Sequence, residues 1–203
     1  MPGMSTGLST NNPVIVSAFG PRALRLAGEV GDGWLSFSHT PESYRSVMRG
    51  PIAEAAKRAG RTLQGFETSL VLPIGVSKDR AKLTKVIGGI AKDWMVWSPD
   101  NMRLVAPELE PPGVRQPYAK RNEGAAVDAL RRVSRQIPDE IAMRTAIAGS
   151  PSECIEQLAA FSRAGLRRAI LYIVAVDQSS SSRQAARTVA RQVLPHFSPA
   201  SSR

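Results

Sequence analysis

The sequence predicts an α/β fold built on a parallel sheet, because apolar strand-like segments alternate with amphipathic helical segments along most of the 203 residues. With the proline-rich insertion set aside, one strand and its helix span about 20 to 35 residues, which favours a parallel sheet with right-handed crossovers. Four segments make convincing strands, whereas a closed (β/α)8 barrel needs eight in about 250 residues. A doubly wound sheet and a barrel both fit the alternation, and the strand count favours half of a barrel.

The first strand–helix unit lies just after the polar start of the chain. Val14–Ser17 is predicted to be a short buried strand, and Arg22–Val30 the helix that follows it. The apolar residues of that helix recur at the spacing of one face: Ala23, Leu26, Ala27 and Val30. Gly31 and Gly33 are expected to stop the helix, and Trp34–Phe37 is the second strand.

The second helix has a clear start and a break inside it. Thr40-Pro41-Glu42 offers a capping hydroxyl, a proline at the first helical position and an acid in the first turn. The helix is predicted to run to about Ala59, before Gly60, and the Gly50-Pro51 pair should kink or restart it.

The middle of the chain contains a third strand and a proline-rich stretch. Glu67–Val76 contains the strand, and Ser77 is expected to cap the helix that follows. Five prolines in Ser98–Lys120 predict a long irregular loop or insertion. Helical patterns resume over Asn122–Arg135 and again after Pro138.

The closing segment predicts a last strand between two helices. The stretch AIAGSPSECIEQLAAFSRAG gives a short extended piece and a capped helix with these apolar residues: Ile155, Leu158, Ala159 and Phe161. Ala169–Val176 is the fourth strand, nearly all apolar, as expected of a strand covered on both faces. The polar linker Ser179–Ser182 leads to a final helix that ends near Val193. Residues 1–12 and 198–203 are expected to be disordered around one domain, residues 13–197.

Composition restricts the class of protein. Hydrophobic residues make up 42% of the chain and charged residues 22%, as in ordinary globular proteins. The longest apolar runs are too short to span a bilayer, and the start shows no secretory signal pattern. Since Cys154 is the single cysteine, no intrachain disulfide can form, and a cytoplasmic location is expected.

A net charge of +10 is typical of proteins that bind nucleic acid or an anionic membrane surface. The basic residues are scattered, however, and the sequence shows no nucleic-acid-binding motif, so neither partner is expected. Metal-ligand spacings, dinucleotide fingerprints, phosphate-binding P-loops and hydrolase nucleophile motifs are also missing from the sequence.

The junction between the first strand and its helix is predicted to bind a phosphate, with these residues as contacts: Ala18, Phe19, Gly20, Pro21 and Arg22. In α/β folds, ligands lie at the carboxyl ends of the strands. Gly20 lets the backbone approach a ligand, and Pro21 suits the first helical position. The free amides and the positive end of the helix dipole then favour an anion, to which Arg22 can add a charged contact. A tight turn without a ligand explains the same Gly-Pro pair.

Weaker candidates follow the other strands. Ser38 and His39 come after the second strand, where the histidine could shuttle a proton or simply precede a helix cap. Gly75 could permit close approach to a cofactor or only end the third strand. Trp94 and Trp97 could line an apolar substrate mouth or pack the insertion.

Two segments resemble the luciferase-like monooxygenase family. PVIVSAFGPRALRLAGEVGDGWL is similar to its middle segment, and AIAGSPSECIEQLAAFSRAGLRRAILYIV to its closing module. The resemblance covers about Pro13 to Pro195 and implies a (β/α)8 TIM barrel of which this chain supplies strands five to eight. It also implies that a cofactor phosphate, from FMN or the deazaflavin coenzyme F-420, binds at Ala18–Arg22.

The resemblance further implies an oxidoreductase that performs hydride transfer or monooxygenation on a small organic substrate. The catalytic residues stay unknown, because the family's first four strands have no counterpart here. The alternative is a non-catalytic remnant, or a half barrel that needs a partner chain or self-association to complete the barrel. No metal is expected.

Overall fold

The computed structural model describes residues 12–109, 124–177 and 181–197. Within them, the strands are β1 (Ile15–Ser17), β2 (Gly33–Phe37), β3 (Glu67–Val76), β4 (Ile147–Gly149) and β5 (Arg168–Ile173). The first helices are α1 (Pro21–Val30), α2 (Pro41–Val47), α3 (Ala53–Arg58), α4 (Arg80–Leu83), α5 (Gly89–Trp97) and α6 (Pro99–Val105). The later helices are α7 (Gly124–Ser134), α8 (Asp139–Met143), α9 (Pro151–Arg163) and α10 (Ser182–Gln192), followed by a 3-10 turn at Leu194–His196.

The predicted disordered ends, apart from Asn12, and part of the predicted insertion lie outside the described residues. So do the first two residues of the predicted polar linker before α10, 179 and 180. In the described parts of the chain, no helix has the length and apolar character needed to cross a membrane.

The described strands form one parallel sheet, as predicted. β1 pairs with β2, and β2 pairs with β3. The long strand β3 pairs with β5 along residues 69–74 and with β4 along residues 74–76. Four strands therefore make the body of the sheet, and β4, the predicted short extended piece, adds to the carboxyl end of β3.

The main core lies between the sheet and its helices. Alternate strand residues, such as Trp34, Leu70 and Leu72, are fully buried there. A second apolar cluster joins α4, α5, α6, α7 and α8, and it includes Ala148 on β4 and Val176 after β5. These helices therefore pack over the carboxyl end of the sheet.

The second helix begins and breaks where the sequence predicts. Thr40 Oγ1 accepts a hydrogen bond from the Ser43 amide at 3.2 Å, and Ser43 Oγ accepts one from the Thr40 amide at 2.9 Å. Between α2 and α3, within Met48–Ile52, the chain kinks at Gly50, which has non-helical dihedrals (φ −92°, ψ −106°). The predicted kink at Gly50-Pro51 is confirmed, because proline cannot supply the helical hydrogen bond.

The predicted apolar face of α1 is correct for Ala23 and Ala27 but wrong for Leu26 and Val30. The helix buries Leu24, Ala27 and Gly28, whereas Leu26 is 49% and Val30 62% exposed. Gly28 explains why a different side of the helix is buried. A Cβ at Gly28 would lie 2.3 Å from the Ile52 carbonyl oxygen, so α1 packs closely against the segment before α3 through this glycine.

Two helix starts also differ from the prediction. The cap of α4 is Asp79 and not Ser77, since Asp79 Oδ1 accepts from the Lys82 amide at 3.1 Å. Ser77 Oγ accepts instead from the Asp79 amide. The predicted irregular segment Ser98–Lys120 contains helix α6, because its first residue, Pro99, needs no helical hydrogen bond and the next proline comes only after the helix ends.

The last strand is covered on one face only, which corrects the prediction that both faces are covered. Leu171 and Ile173 pack against the main core. Ile170 and Tyr172 point to the opposite face and are 42% and 52% exposed. The strand is apolar on both faces although the described residues shield just one of them.

Candidate functional site

The candidate residues after β1 and β2 meet at the carboxyl end of the sheet, because parallel strands end at the same edge. The Trp34 indole donates a hydrogen bond to the Ala18 carbonyl at 2.9 Å. The rings of Phe19 and Phe37 lie 4.8 Å apart. The structure therefore brings the predicted phosphate turn beside the end of β2, where Ser38 lies.

The third predicted contact, Gly75, lies at the same end but is not open. A Cβ at Gly75 would lie 2.6 Å from Ile87 Cδ1 and 2.8 Å from Val176 Cγ2. These side chains occupy the space into which a ligand would have to enter. In this structure the glycine permits close packing of the helical segment that follows β3.

The turn before α1 presents uncapped backbone amides. Gly20 is the N-cap residue with extended dihedrals (φ −84°, ψ 161°), Pro21 occupies the first helical position, and no side chain caps the helix start. Arg22 is exposed beside them. A ten-residue helix that begins this way offers unpaired N–H donors and the positive end of its dipole to an anion.

Helix α6 lies across the ends of β1 and β2. The side-chain nitrogen of Asn101, Nδ2, donates hydrogen bonds to the Phe37 carbonyl at 2.7 Å and to Ser36 Oγ at 3.1 Å. A Cβ built on Gly20 would lie 3.0 Å from Asp100 Oδ2. The sequence did not indicate Asp100 or Asn101, because both fall in the segment predicted to be irregular.

Three buried polar atoms near this junction lack partners among the described residues: Ser38 Oγ, Ser98 Oγ and Asn101 Oδ1. Ser38 also adopts a left-handed backbone conformation (φ 54°) that is uncommon for a residue with a side chain. Strained residues and unsatisfied buried groups concentrate at functional sites. Ser38 therefore stays a candidate contact.

His39 lies in the helix layer and not on the open rim. Its ring is fully buried, with Nε2 3.0 Å from Ser36 Oγ and Nδ1 3.1 Å from Ser43 Oγ. Burial lowers the pKa of His39 from its usual 6.5 to about 3, so the ring is neutral at physiological pH. In this geometry the ring of His39 links Ser36 of β2 to Ser43 of α2 and is not exposed at the surface of the described residues.

Neither the cysteine thiol nor a metal-binding cluster offers a second reactive site in the described residues. Cys154 is fully buried in the main core, and burial raises the pKa of its thiol to about 11, which favours the unreactive form. The described residues contain no group of three or more histidine, cysteine or acidic side chains that could hold a metal ion.

An aromatic row crosses the carboxyl end of the sheet. Phe37 contacts Phe19 on one side and Trp94 of α5 on the other, with ring centroids 4.8 and 5.7 Å apart. Trp94 in turn contacts Tyr172, at 5.4 Å. The row, Phe19–Phe37–Trp94–Tyr172, offers an apolar wall of the kind that planar rings pack against.

Solved enzyme structures match this fold over half of their own length. A coenzyme F420-dependent tetrahydromethanopterin reductase from Methanopyrus kandleri matches 92% of this chain and 51% of its own, with a TM-score of 0.66 and 21% identity. An F420-dependent secondary alcohol dehydrogenase matches 92% of this chain and 49% of its own, with a TM-score of 0.64 and 15% identity. The neighbours are TIM barrels, which confirms the prediction of a partial barrel.

Curated relatives give the same picture at the level of sequence. The 5,10-methylenetetrahydromethanopterin reductase of Archaeoglobus fulgidus is 26% identical over 163 residues, which are 78% of this chain and 47% of the relative. The F420-dependent glucose-6-phosphate dehydrogenase of Nakamurella multipartita is 23% identical over 168 residues, which are 82% of this chain and 43% of the relative. The chain thus spans about half the length of the curated relatives it matches.

The family resemblance seen in the two sequence segments extends over most of the chain. The family model described as luciferase-like monooxygenase matches residues 2–168, which include the Gly20-Pro21 turn, the aromatic row up to Trp94 and the first residue of β5. The chain therefore belongs to the luciferase-like monooxygenase family.

Proposed function

We propose that this chain is the carboxyl-terminal half of a flavin- or deazaflavin-dependent oxidoreductase and holds the cofactor phosphate at the Gly20–Pro21 turn. The reaction is hydride transfer or monooxygenation of a small organic substrate. The uncapped amides of α1, at the carboxyl end of the parallel sheet, carry this proposal. The F420-dependent relatives support a deazaflavin, and FMN, which the family resemblance also implies, is the alternative.

The residues present fit a phosphorylated planar cofactor. The amides that follow Gly20 suit the phosphate, the exposed Arg22 adds a positive charge, and the aromatic row suits a ring. Ser38 Oγ offers an unpaired hydroxyl at the end of the neighbouring strand. When bound, the cofactor supplies the hydride or oxygen chemistry, while these residues anchor it, orient it and exclude water.

Gly20→Val tests the phosphate turn. We expect FMN or coenzyme F-420 to bind at least about tenfold more weakly, which corresponds to ~1.4 kcal/mol, because the side chain blocks the approach of the phosphate. The free energy of unfolding should change by less than about 1 kcal/mol, since Gly20 has ordinary dihedrals and a Cβ there meets only the end of the Asp100 side chain. Fluorescence titration and urea unfolding measure the two quantities.

The matched control is Gly89→Val, because a Cβ at Gly89 has no neighbour within 4 Å. It should leave cofactor binding unchanged. If the Gly20 variant binds the cofactor as tightly as the wild type, the turn does not hold the phosphate.

A second candidate function is that of a half barrel that is inactive until a partner chain or a second copy of this chain completes the barrel. Large exposed hydrophobic residues occur near both outer strands of the sheet. On the side of β1 they are Val14, just before the strand, and Leu26 and Val30 on α1; on the side of β5 they are Ile170 and Tyr172 on its uncovered face, and Leu194 and Phe197 at the carboxyl-terminal turn. Apolar surface on both sides favours an association that covers it.

Light scattering combined with cofactor titration separates the two candidates. Cofactor binding by a monomer supports the oxidoreductase half as a binding unit by itself. Binding that appears only with oligomer formation supports the half barrel that needs closing. A chain that binds neither cofactor in any state is a non-catalytic remnant.

A further inference from the structure

Helix α6 places a negative charge beside the turn that is proposed to receive the cofactor phosphate. Asp100 Oδ2 lies 3.0 Å from the position that a Gly20 Cβ would take. Arg103 pairs with the other oxygen of the same carboxylate, Oδ1, at 2.9 Å. The oxygen nearer to Gly20 is therefore not the one that Arg103 contacts.

A phosphate at the Gly20 turn would meet this carboxylate at short range. Like charges a few ångströms apart at a protein surface repel strongly, and salt screens them only in part. The docked position of Asp100 and a phosphate at the amides of α1 are therefore mutually unfavourable. The carboxylate lies on the side of the turn toward which a Gly20 side chain would project.

Some buried polar atoms in and near α6 lack hydrogen-bond partners among the described residues. Asn101 ties the helix to β2 through its amide nitrogen, at 2.7 Å from the Phe37 carbonyl oxygen. Its own Oδ1 has no partner among the described residues, nor do Ser98 Oγ and Ser38 Oγ. Buried polar atoms without partners weaken an association, because each has lost its hydrogen bonds to water. The docking of α6 is thus weaker than its two good hydrogen bonds suggest.

We propose that Asp100 is a specificity-determining residue that gates the phosphate turn. While α6 is docked, the carboxylate occupies the approach to Gly20 and disfavours anions. Binding of a phosphorylated cofactor requires α6 to shift away from the ends of β1 and β2. This inference rests on the proposed function, and it adds a residue from the helical segment that follows β3 to the site.

Asp100→Asn tests the gate, with FMN and coenzyme F-420 as the probes. We expect the variant to bind the cofactor that the wild type takes at least about tenfold more tightly at low ionic strength. The gain should shrink in high salt, because salt screens the repulsion that the variant removes. The control, Glu108→Gln, removes one exposed negative charge from the same part of the chain and should leave the affinity unchanged.

The outcomes separate this inference from the proposed function. If Asp100→Asn binds no more tightly than the wild type, while Gly20→Val still weakens binding, the gate is wrong and the phosphate turn stands. If both cofactors fail to bind the wild type and Asp100→Asn alike, both proposals fall.

Amide hydrogen exchange provides a second measurement, which would not change if Asp100 acted by charge repulsion alone without movement of α6. Saturating cofactor should speed amide exchange in α6, Pro99–Val105, of the wild-type chain, because the helix leaves its docked position. Slower exchange in α6 on cofactor binding would mean that the helix closes over the cofactor, and it would overturn the gate.

Discussion

Burial decides the chemistry of single residues at the carboxyl end of this sheet. His39 follows β2 directly, as a catalytic histidine would, yet both ring nitrogens contact serine hydroxyls inside the helix layer. Ser38, one residue earlier, has the strained backbone and the unpaired hydroxyl. At this scale Ser38 and Gly20 have the features expected of a ligand contact, whereas His39 is a buried residue with two serine partners.

His39 should make stability depend on pH. Its pKa is about 3 in the folded chain against the usual 6.5, so only the unfolded chain takes up the proton between these values. The stabilisation is complete above pH 6.5 and falls by about 1.4 kcal/mol per pH unit below it. Urea unfolding from pH 7 to pH 5 measures the slope.

His39→Gln should remove most of this slope, whereas His196→Gln, which changes an exposed histidine, should keep it. An unchanged slope in the His39 variant would show that the buried ring takes up its proton in the folded chain.

At the scale of elements, glycine fixes how α1 lies on the sheet. Gly28 faces the Ile52 carbonyl and the Ala55 side chain at distances that leave no room for a Cβ. This contact, and not the apolar residues Leu26 and Val30, sets which side of the helix is buried. The turn that precedes α1 is positioned by the same packing.

Gly28→Ala should destabilise the fold by about 1–3 kcal/mol, because its Cβ would lie 2.3 Å from the Ile52 oxygen and force α1 outward. Gly89→Ala, at a helical position with free space, is the control and should be neutral or slightly stabilising. Urea unfolding compares the two. Equal stability of both variants would mean that α1 can move without cost.

The elements also show what the sequence could predict. The cap at Thr40, the kink at Gly50-Pro51 and the β1 turn at Gly20-Pro21 depend on neighbouring residues, and they were predicted correctly. The buried face of α1 and the position of Asp100 depend on packing between distant segments. Local patterns cannot specify such contacts, so these features were missed.

At the scale of the whole molecule, the sheet resembles a barrel wall with two open edges. In the described residues, apolar side chains are exposed before β1 and on α1 at one side, and on one face of β5 and at the carboxyl-terminal turn at the other. The sequence predicted four strands and therefore the open sheet. It could not show that β5 is uncovered, because an apolar strand looks the same whether or not another element packs on it.

The exposed apolar surface should make the purified chain self-associate as its concentration rises. Tyr172→Lys should weaken this association about tenfold or more, because it places a charge on the exposed apolar face of β5. Leu104→Lys, which changes an exposed leucine on α6, is the control. Multi-angle light scattering over a concentration series measures the effect, and a wild-type chain that stays monomeric throughout would contradict it.

The most direct measurement of the central claim compares cofactors with and without their phosphate. Calorimetric titration of the wild-type chain would set FMN beside riboflavin, and coenzyme F-420 beside its phosphate-free deazaflavin core. Docking at the amides of α1 predicts that the phosphorylated member of at least one pair binds about tenfold more tightly or better. Equal affinity within both pairs would show that the Gly20 turn does not recognise a phosphate.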